Sequence, residues 1–126
     1  MKTISLIARI LLGLLFSVFG LNGFLHFLPS AMPTGLAGQY IGALFQSHFL
    51  TVVFILELIA GVFLLFNRYV PLALAVLAPI VVNILLYHVL MNPAGLPPAV
   101  VASILWILVA QNVRDAFAGL FQLRTT

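Results

Sequence analysis

Apolar residues run almost unbroken in four stretches of the chain, at residues 4–28, 49–66, 70–91 and 97–113. Stretches of about 17–25 apolar residues match the thickness of a bilayer core, so each predicts a membrane-crossing helix. The breaks between the later ones, "NRYVP" and "MNPAGLPP", are short and rich in helix breakers,. Short turns make consecutive helices antiparallel neighbours. The expected fold is therefore all-α: an integral membrane antiparallel four-helix bundle forming a single domain over residues 1–126.

The connection between the first two spans has a different pattern. Leu36, Tyr40, Ile41, Leu44 and Phe45 fall on one helical stripe, while Gly38, Gln39, Gln46 and Ser47 take the other side,. This predicts a short amphipathic interfacial helix over about 35–46, lying in the membrane surface as a lid rather than a plain polar loop.

Composition strengthens the membrane assignment. The chain has 126 residues, is 64% hydrophobic and 6% charged, and has a mean hydropathy of +1.29. A soluble domain of this size could not bury that much apolar surface. A cleaved signal peptide does not fit the first stretch, which is too long, contains Arg9 and is followed by no small-x-small site,. The absence of cysteine excludes an internal thiol relay, Cys-ligated iron–sulfur or zinc sites and c-type haem,. No metal site is expected. The net charge of +3 is scattered, which argues against a nucleic-acid partner,. No phosphate-cradling glycine loop, nucleophile elbow or HExxH motif is present,.

Charge also orients the chain. With four alternating spans, Lys2, Arg9, Arg68, Arg114 and Arg124 all fall on or near one side. The positive-inside rule makes that side cytoplasmic. The expected localisation is a multi-pass protein of the bacterial inner membrane, with both termini cytoplasmic and the 29–48 and 92–96 connections outward.

Against this apolar background, Glu57 stands in the middle of "VFILELIAGVFLLF". It lies about eight residues, or roughly 12 Å, from the outward side. Asn22 and Asn83 are at a similar level on other spans, with His26, Tyr87 and His88 nearer the surface. Asn22 and His26 share a face by their four-residue spacing, as do Pro79, Asn83 and Tyr87. His88 is about 140° around its helix from Asn83, so the two are not expected to face one pocket. Pro79 is expected to kink its helix open on the outward side.

A charged acid at mid-membrane costs about 2.5–3.5 kcal/mol on insertion scales. Glu57 must therefore pair with a cation, take hydrogen bonds from Asn or His, or stay protonated. Arg9 is the nearest fixed cation; snorkelling to the headgroups, a structural clamp on Glu57 and a ligand role all remain open for it. Asn22 and Asn83 have a structural alternative as interhelical glue, and the histidines have one as solvated interfacial residues. His48 marks a helix boundary. Haem between His26 and His88 is disfavoured, since nothing fixes their faces toward each other. Gly13, Ser17 and Gly20 line one side of the first span and permit close helix contact, within the chain or in a homodimer. Trp106 lies too deep for an interface anchor and is expected to pack.

Two segments, "ARILLGLLFSVFGLNGFLHFLP" and "LELIAGVFLLFNRYVPLALAVLAPIVVNILLYHVLMNPAGLP", resemble the DoxX family of small bacterial membrane proteins. The likeness rests on the order and spacing of Arg9 before a Gly-rich stretch, Glu57 before "GVFLLF", Arg68 with Pro71, and Asn83 with His88. It implies a four-helix inner-membrane protein. The family's namesake is a membrane subunit of a thiosulfate:quinone oxidoreductase, and other members are linked to oxidative-stress complexes. By this resemblance the chain is a non-catalytic or co-catalytic subunit of a quinone-linked, oxidative-stress or sulfur redox system, with a redox-protein partner and a quinone as the candidate cofactor. No catalysis by this chain alone is expected. The candidate pocket comprises Glu57, Asn22, His26, Asn83, Tyr87, His88 and Arg9. Two other classes stay open: a binder or carrier of a small amphiphile or lipid, and a purely structural membrane bundle.

Overall fold

The computed structural model describes residues 2–28 and 31–125. Met1 and Thr126, on which the expected siding of the termini partly rests, lie outside the described residues, as do residues 29–30 of the first connection. Every regular element is helical, with no strand among the described residues. In chain order these are α1 (Lys2–Leu25), α2 (Gly35–Gln46), α3 (Phe49–Leu65), α4 (Val70–Leu90) and α5 (Leu96–Asn112). A 3-10 turn, Pro93–Gly95, leads directly into α5, and a longer 3-10 stretch, Arg114–Phe121, follows it.

Three helical stretches are long and apolar enough to cross a membrane: Lys2–Leu25, Val70–Leu90 and Pro93–Asn112. α3, with 17 residues and no helical turn continuing it in line as Pro93–Gly95 continues α5, falls short alone; α2 and α3 together would make a fourth, but they meet at an angle of 81°. The hinge between them is His48, whose φ of 63° lies in the left-handed region. The 35–46 segment is helical over the expected residues.

The first span ends earlier than its apolar pattern suggests, at Leu25 rather than Leu28. His26 adopts a φ of 53° and its N–H bonds back to Asn22 O at 2.8 Å, which closes the helix. Conversely, α4 continues through Pro79, and α5 tolerates Pro97 and Pro98 because they occupy its first turn, where the missing N–H has no intrahelical partner,.

α1 packs against α3 and α5, and α4 against the same two, so the four long helices close a ring. The α1–α3 contact is backbone on backbone. A Cβ added at Gly13 would lie 3.0 Å from Gly61 O, and one at Gly20 would lie 2.8 Å from Leu58 N. Only small residues permit that approach. Packing is uneven along the ring. The fully buried side chains, Leu12, Phe16, Leu64, Leu74, Leu77 and Val109, gather toward the end where α1 starts and α3 finishes. Trp106 is tied into this solid half, with Nε1 donating to Leu74 O at 2.9 Å. Large apolar residues such as Ile7, Leu11, Ile55, Ile59, Val82 and Ile104 cover the outside of the ring. The opposite half of the ring is hollow.

Candidate functional site

The hollow half contains two cavities, and Glu57 lines both. One, of about 540 Å³, lies between α2, α3 and α4 and takes Tyr40, Leu44, Asn83 and Tyr87 into its wall. The other, of about 670 Å³, lies between α1 and α5 and takes Phe19, Asn22 and Ala99. Both sizes are within the usual range of small-molecule pockets, about 300–1,000 Å³. Ile41, Phe54, Ile84 and His88 also belong to both walls, so the two are lobes of one site.

Glu57 is positioned by α3, whose next turn carries Gly61. The close α1–α3 contact at Gly61 presses this face of α3 against α1 and leaves Glu57 only 6% exposed. Among the described residues its Oε2 has no hydrogen-bond partner, and neither has the Oγ of Ser17, which abuts Gly61. Buried polar atoms in native structures are overwhelmingly satisfied, so an orphaned carboxyl oxygen on a residue that lines a cavity requires a reason.

The neighbours expected to serve Glu57 are engaged locally. Asn83 Nδ2 donates to Pro79 O at 2.8 Å, back along its own helix. Asn22 Oδ1 accepts from Leu28 N–H at 2.7 Å and so organises the chain leaving α1. Both residues line a lobe, but these bonds are not to the acid. His26 lies beyond the end of α1, is exposed and belongs to neither lobe. The shared face expected for Asn22 and His26 does not form, because the left-handed turn at His26 breaks the four-residue spacing. Arg9 is further still. Its Nη1 donates to the carbonyls of Leu64 and Leu65 in the last turn of α3, and it lines a separate small cavity at the solid end.

His88 departs from its expected facing. Despite the 140° between them, His88 and Asn83 both line the α2–α4 lobe. The lobe is broad enough to span that arc, and the imidazole closes the partition between the two lobes. Its Nδ1 lies 3.0 Å from Asn92 O. A carbonyl only accepts, so Nδ1 carries the proton and, in the neutral ring, Nε2 is an acceptor. The Tyr87 ring meets His88 edge-on at 4.9 Å and stacks on Tyr40 of α2 at 5.7 Å with 27° between planes.

Several wall residues were not among the expected site: Tyr40, Ile41, Phe54 and Ile84. Tyr40 carried a usable signal, an aromatic on the apolar stripe of the interfacial segment, near Tyr87 in expected depth. The aliphatic wall carried none, since nothing distinguishes Ile84 from its neighbours without the packing.

Chemically, the site is a greasy two-lobed chamber whose middle holds one carboxyl group, one imidazole acceptor and, at the α2 side, two phenols. It suits a molecule with an apolar body and a head bearing hydroxyl or carbonyl oxygens. Comparison with protein-family models, curated proteins and solved structures returns no match.

Proposed function

We propose that the chain is a multi-pass membrane protein of the DoxX type, an antiparallel four-helix bundle in the bacterial inner membrane with cytoplasmic termini. Its hollow half holds an amphiphile, in the first place a quinone, on behalf of a redox complex in which this chain is the membrane subunit. The observation that carries the reading is a buried glutamate, Glu57, that lines both apolar lobes and has a carboxyl oxygen without a hydrogen-bond partner among the described residues. A quinone or quinol head fits such a place. Its hydroxyl donates to His88 Nε2 or to Glu57, and its carbonyl accepts from the protonated acid. The descending order of the α1–α3 contacts, Gly13 with Gly61 and Gly20 with Leu58, supports the antiparallel arrangement.

A second reading, a carrier of lipid or another small amphiphile, is favoured by one feature. α2 forms a wall of the α3–α4 lobe and is held to α4 by the Tyr40–Tyr87 stack, as a gate would be.

Mass spectrometry of the protein extracted in mild detergent tests both. A bound quinone, lost from Glu57→Gln, is the expected result. A different amphiphile lost in the same variant selects the carrier. No retained molecule, or equal retention in the variant, removes the ligand reading and leaves a structural bundle.

A further inference from the structure

The opposite, solid end of the ring holds a third cavity, of about 200 Å³, far from Glu57 and made of different chemistry. It sits where α1 begins, α3 turns into α4 and α5 ends. Five of its nine lining residues carry polar side chains, Lys2, Ser5, Arg9, Asn67 and Asn112, and none is acidic. We propose that this cavity is a binding site for a phosphate group, held by Lys2 and Arg9 with Asn67 and Asn112 as neutral donors.

The geometry of Arg9 is the main reason. Its Nη1 is spent on the Leu64 and Leu65 carbonyls, which fixes the guanidinium plane against the end of α3. Its Nη2 and Nε have no partner within the chain among the described residues, and the group is only partly exposed. A half-buried guanidinium with a preset plane and free donors is suited to the paired oxygens of a phosphate. Lys2 adds a second positive charge on the same cavity, as a mobile point charge. Asn67 is delivered by a tight turn, with its own φ at 54° and Arg68 N–H bonded to Phe63 O at 2.9 Å. Asn112 is the last residue of α5. Four donor groups from three separate segments, α1, the α3–α4 turn and the end of α5, thus converge with no carboxylate to neutralise them; Asp115, the one acid near this end, does not line the cavity.

The volume corresponds to roughly six waters at about 30 Å³ each, enough for a phosphate with its ester oxygens. On the membrane reading this end lies at the cytoplasmic headgroups, where anionic lipid is concentrated. A lipid phosphodiester and a free phosphate share the chemistry, and the experiment separates them.

Protein in a nonionic detergent is loaded with phosphatidylglycerol or with diacylglycerol of the same acyl chains, and retained lipid is counted by native mass spectrometry. Melting is followed in parallel with inorganic phosphate against chloride at equal ionic strength. Retention of phosphatidylglycerol over diacylglycerol is expected, falling about fivefold in Lys2→Gln, the effect of one basic residue near an anionic surface. Asn112→Leu should lower it further. Both positions are exposed, so neither change threatens the fold. If phosphate raises the melting temperature beyond chloride while the two lipids are retained equally, the free anion is the ligand. Equal retention of the two lipids together with no phosphate effect beyond chloride overturns the site, as does unchanged binding in both variants. None of these outcomes bears on the Glu57 chamber.

Discussion

Replacing Glu57 with leucine tests whether this acid holds the helices together or is kept at their expense. The two side chains are similar in bulk, so the change mainly removes polarity. On insertion scales an acid at a helix centre costs about 2.5–3.5 kcal/mol, and leucine gains about 0.3–0.6 kcal/mol. The full difference, about 3–4 kcal/mol, is an upper bound, because the unfolded chain in a micelle must also accommodate the acid. The structure supplies the lower figure: an unpartnered buried oxygen costs about 1–3 kcal/mol, and more when the group is charged,. Glu57→Leu is therefore expected to stabilise the protein by about 1–2 kcal/mol and to abolish ligand retention. The assay is reversible unfolding in mixed micelles of rising dodecyl sulfate fraction, followed by helical circular dichroism. A loss of more than about 1 kcal/mol would refute the reasoning, since it would mean that Glu57 has partners whose removal leaves them unsatisfied.

The glycines make a paired test. Alanine at Gly61 would put its Cβ 2.6 Å from Ser17 N and 2.9 Å from Gly13 O, so it should cost about 1 kcal/mol net once its better helix preference is counted,. Alanine at Gly42 meets nothing within 4 Å and should gain about 0.5–1 kcal/mol in the same titration; equal effects at the two sites would remove the close α1–α3 contact,. Trp106→Phe loses the indole bond to Leu74 O and should destabilise by about 1 kcal/mol, with no change in ligand retention,. Because the chain lacks cysteine, single replacements report sidedness directly. In intact spheroplasts an impermeant maleimide should label Gln46→Cys and spare Gln122→Cys, and the reverse pattern would invert the orientation.

Helices are legible where their ends are marked by strong local chemistry. The 35–46 helix is preceded by Pro33, opens on Gly35 and is followed by Ser47, and "NRYVP" contains the two left-handed residues, Asn67 and Tyr69, that separate α3 from α4. The end of α1 is not legible, because "HFL" continues the apolar run; what stops the helix is a left-handed His26 and a Leu28 N–H bond accepted by the Asn22 side chain, neither of which has a period. The same physics limits the site. Depth can be counted along a sequence, so Asn22, Glu57 and Asn83 could be placed in one band. Hydrogen bonds cannot be counted that way, and the amides turn to nearby backbone because a local partner, an acceptor for Asn83 and a donor for Asn22, involves no interhelical ordering,. Facing is also coarse: a helical wheel separates His88 from Asn83, but a broad cavity with a long imaginary arc of wall accepts both.

On the proposed membrane reading, the elbow at His48 has a consequence for the surrounding lipid. α3 stops at 17 residues, about 26 Å of rise, where a typical hydrocarbon core needs about 30 Å,. The missing turn is on the side where α2 swings away at 81°, so acyl chains there must shorten or α2 must occupy their place. Hydrophobic mismatch of a few ångströms is enough to bias a protein toward thinner bilayers. Acyl-chain length thereby becomes a variable acting on the mouth of the chamber, with thick membranes pulling on the elbow and thin ones leaving it at rest.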